Sequence, residues 1–384
     1  MRVKKKLSAI ILAAGAGTRL RSEIPKALHE ICGEPILVHL LRTTKGLVDG
    51  KTVVVVGFAH EKVEQALKER GFRKIHYALQ AKQLGTGHAV LCAADHFDRY
   101  TGDILVLVGD APLLTRKTLE MLIQRHRHQD AAATVLTTKM RRPKGYGRVL
   151  RHQDGTVLRI VEDKDANIYE QKVNEVNTGM YVFDGRELFS ALQSIRPDNE
   201  QGEYYLPDVI QIMVSQKKRV EAVKIPDYRE TMGINNRVEF ARAERIMRDR
   251  ILERLMLSGV TIIDPPSTMI DDGVCIGIDS IIQPNTIIRG HTSIGKGCVI
   301  GPLTQIDDSN IEDGCRINSS YISQCVVPAG ERIGPFANFQ GGKLIQADED
   351  ATRNTAIKAI QMKAGTGVTH AARRTSRRNQ GKNR

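Results

Sequence analysis

The chain has 384 residues, 41% of them hydrophobic and 26% charged, with a net charge of +13 and no tryptophan. That length allows two domains with substantial cores, and no apolar run approaches the length of a bilayer-spanning helix. Six cysteines form neither a CxxC pair nor a zinc-type spacing with histidine, which points to a reduced compartment, the cytoplasm, and to no structural metal. The charge is uneven: from Arg353 onward stand nine Lys or Arg and no Asp or Glu, so the rest of the chain carries only +4. A tail this basic and this poor in large apolar residues is expected to be disordered. It reads as an arm for nucleic acid or as a solubilising terminus, and it lacks the interleaved aromatics that stack on bases.

The first predicted element lies in "LSAIILAAGAGTRLRSEIPK", residues 7–26. The preceding lysines, the short apolar run and "AGA" imitate a secretory signal with its cleavage site. The competing reading is the floor of an active site. Ile10 to Ala14 form a β-branched-rich run that reads as a buried strand, and Gly15 and Gly17 allow a tight turn whose N–H groups can cradle a phosphate. Arg19 follows, and Lys26 arrives behind Pro25 on an extended segment, so two cations reach one mouth. A signal peptide has no use for either. The loop matches neither the P-loop nor the dinucleotide fingerprint.

Apolar runs then alternate with amphipathic ones: "TVVVVGF" (52–58), "HEKVEQALKERG" (60–71), "DILVLVGD" (103–110), "RKTLEMLIQRHR" (116–127) and "AAATVLTT" (131–138). This alternation predicts an α/β domain, a mostly parallel sheet with helices on its faces and ligands at the carboxyl ends of its strands. A long charged segment, Asn236 to Leu257, predicts a helix that stops at Gly259.

Beyond it the sequence repeats. Ile270, Ile276, Ile282, Ile288, Ile294, Ile300 and Ile306 recur every six residues, and a small residue stands two places before each: Thr268, Val274, Ser280, Thr286, Thr292, Cys298 and Thr304. A six-residue apolar period fits the hexapeptide repeats of a parallel β-helix, a structural or oligomerising module. After Ile306 the phase slips (Ile311, Ile317, Ile322, Val327, Ile333), so the coil is expected to loosen or end near "IGPFANF". The expected domains are therefore 1–235, a linking helix at 236–258, a β-helix at 259–345 and a tail at 346–384.

Polar groups in the first part suggest chemistry. Asp110 leaves a buried strand in "LVLVGDAPLL", as a Mg²⁺ ligand beside substrate phosphates or as a helix cap before Pro112. In "LQAKQLGTGHAV" Gln80 carries an amide able to read a pyrimidine edge, or is a surface glutamine, and Gly85 and Thr86 open a helix that carries His88. "KGYGRV", "IVEDKD" and "VNTGMYVF" supply Gly147, Glu162 and Asn177, groups suited to a sugar's hydroxyls and amide.

The ordered set "LAAGAGTRLRSEIPKALHEICGEPILVH", "LQAKQLGTGHAV", "GDAPLL", "GYGRV", "VEDKDA", "VNTGMYVF", "GEYYLPDVI" and "GINNRVEFARAE", followed by hexapeptide repeats, closely resembles the bacterial N-acetylglucosamine-1-phosphate uridyltransferase (GlmU-type) family. The resemblance implies a Rossmann-like nucleotidyltransferase domain followed by a short left-handed parallel β-helix. It implies Leu12, Ala13, Ala14, Gly15 and Lys26 in the nucleotide signature, with Arg19 and Lys26 on the phosphates, and Gln80, Gly85 and Thr86 on the uracil. It further implies Asp110 and Asn235 as Mg²⁺ ligands, with Gly147, Glu162, Asn177 and Asn235 around the sugar phosphate.

The implied reaction joins UTP and N-acetylglucosamine 1-phosphate into UDP-N-acetylglucosamine and pyrophosphate, in a cytoplasmic homotrimer assembled through the β-helix. Two departures stand out. The family's acetyltransferase blocks, such as "GHLTYLGD" and "NYDG", do not occur, so acetyl transfer is not expected, and Val108 stands where the family often has an aromatic. The rival readings are a uridylyltransferase for another sugar 1-phosphate and a catalytically silent binding or scaffolding paralogue.

Overall fold

Short β-branched runs separated by amphipathic ones build the first unit strand by strand. The computed structural model describes residues 5–346 apart from Ala16; the basic tail, with its expected disorder, lies outside the described residues. Nine strands form one sheet among the described residues: β1 (Leu7–Leu12), β2 (Thr52–Val56), β3 (Ile75–Leu79), β4 (Asp103–Val108), β5 (Ala133–Lys139), β6 (Arg148–Arg151), β7 (Val157–Val161), β8 (Glu175–Asp184) and β9 (Val220–Ile225). Their order is β9-β5-β8-β4-β1-β2-β3, with β6 paired to both β8 and β7. The half β4-β1-β2-β3 is parallel, whereas β8 runs antiparallel to β4 and to β5.

Both faces of this sheet are covered, which is why its central strands are apolar without alternation. Leu7, Ala9 and Ile11 of β1 pack on one side with residues of α1 (Ile36–Thr44), α2 (His60–Glu69) and α4 (Arg116–Gln129). Ile10 faces the other side, with α3 (Thr86–Cys92), α5 (Gly185–Leu192) and α6 (Asp208–Ser215). Each fully buried aliphatic side chain contributes about 1.5–3 kcal/mol.

The register places Leu12 level with Val108 and Val55. The loops after β1, β3 and β4 therefore open at one edge, the carboxyl edge expected to take ligand. The first strand ends two residues before the expected Ala14. The chain turns outward there, and the Ala14 carbonyl accepts from Gln83 Nε2 (2.9 Å) rather than from a neighbouring strand.

α7 spans Arg237–Leu257, and Gly259 follows it with φ +98. The contacts divide the chain into two compact units, up to Arg250 and from Ile251 onward. The second unit is a parallel β-helix. Its three faces are stacks of short strands, for example Ile281–Ile282 on Val299–Ile300 on Arg316–Ile317. Ile282, Ile288, Ile294, Ile300 and Ile306 are buried inside the coil, while Ile276, near its start, is only half-buried.

The small residues two places earlier are buried as well, and their hydroxyls have partners. Ser280 Oγ donates to the Gly295 carbonyl, Thr286 Oγ1 to that of Gln283 and Thr292 Oγ1 to that of Arg289. A small polar side chain thus fills the corner and satisfies a turn carbonyl that would otherwise be buried without a partner. Cys298 does the same through Sγ to Glu312 O (3.2 Å).

The phase slip after Ile306 leaves the coil stacked, and the coil ends near "IGPFANF", as expected: beyond Asn338–Gln340 the next strand, Lys343–Gln346, pairs antiparallel. Parallel pairing continues through Asn338–Gln340, and the turns absorb the missing residues. Each five-residue step (Ile306 to Ile311, Ile317 to Ile322, Ile322 to Val327) passes through one left-handed residue: Asp308, Ser319 or Gln324.

Candidate active site

Two groups of side chains sit at the carboxyl edge of the sheet. The first lines a cleft of about 290 Å³ formed by, among others, Leu12, Ala13, Ala14, Gly15, Lys26, Gln80, Gly85, Thr86 and Asp110. Gly17 makes the close turn possible. Its φ is +64, and a Cβ there would lie 2.8 Å from Lys26 Cβ, so a side chain would push the lysine out of position. Gly15 does not adopt the left-handed conformation, and Ala16 between them lies outside the described residues.

Lys26 Nζ donates to Asp110 Oδ2 at 2.5 Å and to Asn235 Oδ1 at 3.1 Å, and Arg19 Nη2 donates to the same Asn235 oxygen at 2.9 Å. Arg19 and Asn235 thereby join the cleft although neither lines its wall. Asp110 does not cap a helix; its carboxylate is committed to Lys26, in a pair with 14% and 25% of the side chains exposed. Asn235 is held from behind by its own N–H, which donates to Glu239 Oε2 at 2.7 Å.

One carboxylate oxygen and one amide oxygen thus already converge on a single cation, the Lys26 ammonium. Hard oxygen donors of this kind suit Mg²⁺. Among the described residues no cluster of three or more His, Cys, Asp or Glu could hold a metal unaided. A cation at Asp110 and Asn235 would therefore complete its shell with phosphates and water.

The second group is Gly147, Glu162 and Asn177. Asn177 N donates to the Gly147 carbonyl (2.8 Å), and a Cβ on Gly147 would lie 3.1 Å from Glu162 Oε1. Burial, together with Asp165, Asp208 and Asp163, raises the Glu162 carboxyl to about 7 against the pull of Arg148. Burial likewise raises Asp208 to about 6, with Asp165 adding to the effect. The Tyr181 hydroxyl is buried beside the Asn177 side chain. The two groups meet at Val108, which lines the cleft: β8 bulges at Gly179 (φ +76), where a Cβ would lie 2.9 Å from Val108 Cγ1.

Several residues at the site escaped sequence reasoning. Gln83 and Glu203 line the cleft. Tyr146 stands near Asp110 and Glu239, where burial foremost and then those two carboxylates keep its phenol protonated. All three had a signal, since each lies in a block already singled out: Gln83 beside Gln80, Tyr146 in "KGYGRV" and Glu203 in "GEYYLPDVI". The glycine loop before α3 is pinned by the "GEYY" segment: Gly87 N donates to Tyr204 O (2.7 Å), Tyr204 N to Leu84 O (2.8 Å) and Leu206 N to Thr86 Oγ1 (3.0 Å).

Residues 8–229 match the family model described as nucleotidyl transferase. Among curated relatives, the bifunctional protein GlmU of Latilactobacillus sakei is 46% identical over 341 residues, which cover 89% of this chain and 73% of the relative. The GlmU protein of Limosilactobacillus reuteri is 45% identical over 87% of this chain and 73% of its own length. That of Streptococcus suis is 42% identical over 94% and 78%. With a family model covering more than half of its length and GlmU relatives matched over about three quarters of theirs, the chain belongs to the GlmU family of nucleotidyl transferases.

Proposed function

We propose that this chain transfers a uridylyl group from UTP to N-acetylglucosamine 1-phosphate, releasing pyrophosphate, with Mg²⁺ as its divalent metal. The observation that carries the reading is the convergence of Arg19, Lys26, Asp110 and Asn235 at the carboxyl edge of the parallel strands. A sugar phosphate is already anionic, so its oxygen can attack the α-phosphorus of UTP while the bond to the β-phosphate oxygen breaks. No general base is required, and the protein's work is alignment and charge neutralisation.

Arg19 and Lys26 stabilise the charge that gathers on the departing pyrophosphate. Gln80 and the backbone at Gly85 and Thr86 hold the uracil, and Leu12 to Gly15 form the floor beneath the nucleotide. Gly147, Glu162 and Asn177 hold the sugar, with Glu162 able to donate a hydrogen bond while protonated and to accept one when ionised. Asp110 and Asn235 would hold Mg²⁺, which would supply neutralisation of phosphate charge.

No helix among the described residues is long and apolar enough to cross a membrane. None of the six cysteines is held in a disulfide, which supports a reducing compartment, the cytoplasm. Association through the β-helix, as a trimer, is what the family resemblance implies. The testing experiment is pyrophosphate release with UTP or dTTP across N-acetylglucosamine 1-phosphate, glucosamine 1-phosphate and glucose 1-phosphate. Fast release with UTP and the acetylated sugar alone is expected, and Lys26→Ala and Asp110→Ala are each expected to lower turnover by about 10²-fold or more. Release with none of the pairs, or with another sugar only, would overturn the reading.

A further inference from the structure

Gln80 is buried, and every one of its hydrogen bonds is accounted for. Its Nε2 donates to the Gly85 carbonyl at 3.0 Å and to His88 Nδ1 at 3.1 Å. An amide nitrogen carries two hydrogens, and these two acceptors use both. The orientation is fixed by chemistry: the reversed amide would set Oε1 against the Gly85 carbonyl, acceptor against acceptor. His88 Nδ1, receiving this N–H, is the accepting nitrogen of the ring. What remains of Gln80 for a ligand is Oε1 alone, an acceptor, on a residue that lines the cleft.

From this geometry we infer that His88 is a specificity-determining positioning residue: by taking the second amide hydrogen of Gln80 it presents only an acceptor to the base. The inference rests on the uridyltransferase reading and deepens it. A pyrimidine with a hydrogen on N3, such as uracil, donates to Oε1. Cytosine has a lone pair at N3, and the two acceptors face each other. His88 does not touch the base in this account; it acts through Gln80. Its own place is set by α3, which begins at Thr86, and by the Tyr204 ring, 6.5 Å away between centroids.

Without an acceptor at position 88 one buried amide hydrogen loses its partner and the Gly85 carbonyl alone orients Gln80. Losing one hydrogen bond from a buried donor corresponds to about a tenfold change in an equilibrium constant.

The experiment compares kcat and KM for UTP and for CTP, with N-acetylglucosamine 1-phosphate as acceptor, in the full-length wild type, His88→Leu and His88→Asn. The wild type should use UTP in strong preference to CTP. His88→Leu should raise KM for UTP and lower the UTP-over-CTP preference in kcat/KM, each by about tenfold, with kcat at saturating UTP little changed. His88→Asn, whose side-chain oxygen can accept the same hydrogen, should restore the preference to within about threefold of wild type. Circular dichroism confirms that each variant is folded. A folded His88→Leu that discriminates as the wild type does would overturn the inference, as would a His88→Asn no better than His88→Leu. A wild type that turns over neither nucleotide would instead overturn the uridyltransferase reading on which it rests.

Discussion

Glu162 combines burial with a carboxyl pushed up to about 7, and that combination has a measurable consequence for stability. Its ordinary value is 4.5, so between about pH 4.5 and 7 the folded chain binds a proton that the unfolded chain has released. Stability contributed by this site therefore falls as pH rises through that window, and the loss is complete above it. Glu162→Gln has no proton to lose. Its stability advantage over the wild type should be larger at pH 8 than at pH 4 by on the order of 3 kcal/mol, read from urea unfolding at the two pH values. Parallel stabilities across pH would show that Glu162 is not held in its protonated form. The same residue shows the limit of reading a site from composition: the sequence offers Glu162 as a polar group, but its carboxyl is raised first by burial and then by Asp165 and Asp208, and Asp208 comes from a distant helix, α6. Asp110 was legible because it follows an apolar strand run almost at once, and Lys26 because Pro25 delivers it on an extended segment behind the glycine turn. Asn235 was legible only through the family resemblance, since nothing local predicts that it meets a lysine 209 residues away.

Among the elements, the loop that enters α3 is the most constrained. Gly85 has φ +104, and a Cβ there would lie 2.6 Å from Tyr204 O and 2.9 Å from Tyr204 N, both backbone atoms that cannot rotate aside. Gly85→Ala should therefore destabilise the fold by about 2 kcal/mol through strain and steric conflict. It should also raise KM for UTP, because the carbonyl that orients Gln80 moves with the loop; thermal unfolding and initial-rate kinetics check the two halves separately. A variant with unchanged Tm and unchanged KM would contradict the role given to this loop. The glycines themselves pointed to close backbone approach. What they approach is Tyr204, a residue brought there by the tertiary fold and invisible to any local pattern.

The β-helix shows the converse case. Its isoleucine period was legible because every strand places one isoleucine inward at the same phase. The slip after Ile306 records shorter turns, because sequence period counts the turns as well as the strands, and the stacked isoleucines keep their register up to the end of the coil near Phe339.

At the scale of the molecule, the sheet determines the chemistry. Parallel β1 and β4 end level with one another, and the antiparallel β8 brings its bulge against Val108, so the cations and oxygen donors proposed for the phosphates and the groups proposed for the sugar share one edge. That edge holds charges and dipoles for alignment and assigns no side chain the role of nucleophile. The proposed displacement is direct: the sugar phosphate attacks UTP itself, with no uridylyl group carried on the protein. Exchange of radiolabelled pyrophosphate into UTP separates the two routes. Direct displacement gives no exchange with enzyme, Mg²⁺, UTP and labelled pyrophosphate alone, and rapid exchange once N-acetylglucosamine 1-phosphate is added. Exchange at a comparable rate without the sugar phosphate would reveal a uridylylated enzyme and rule direct displacement out.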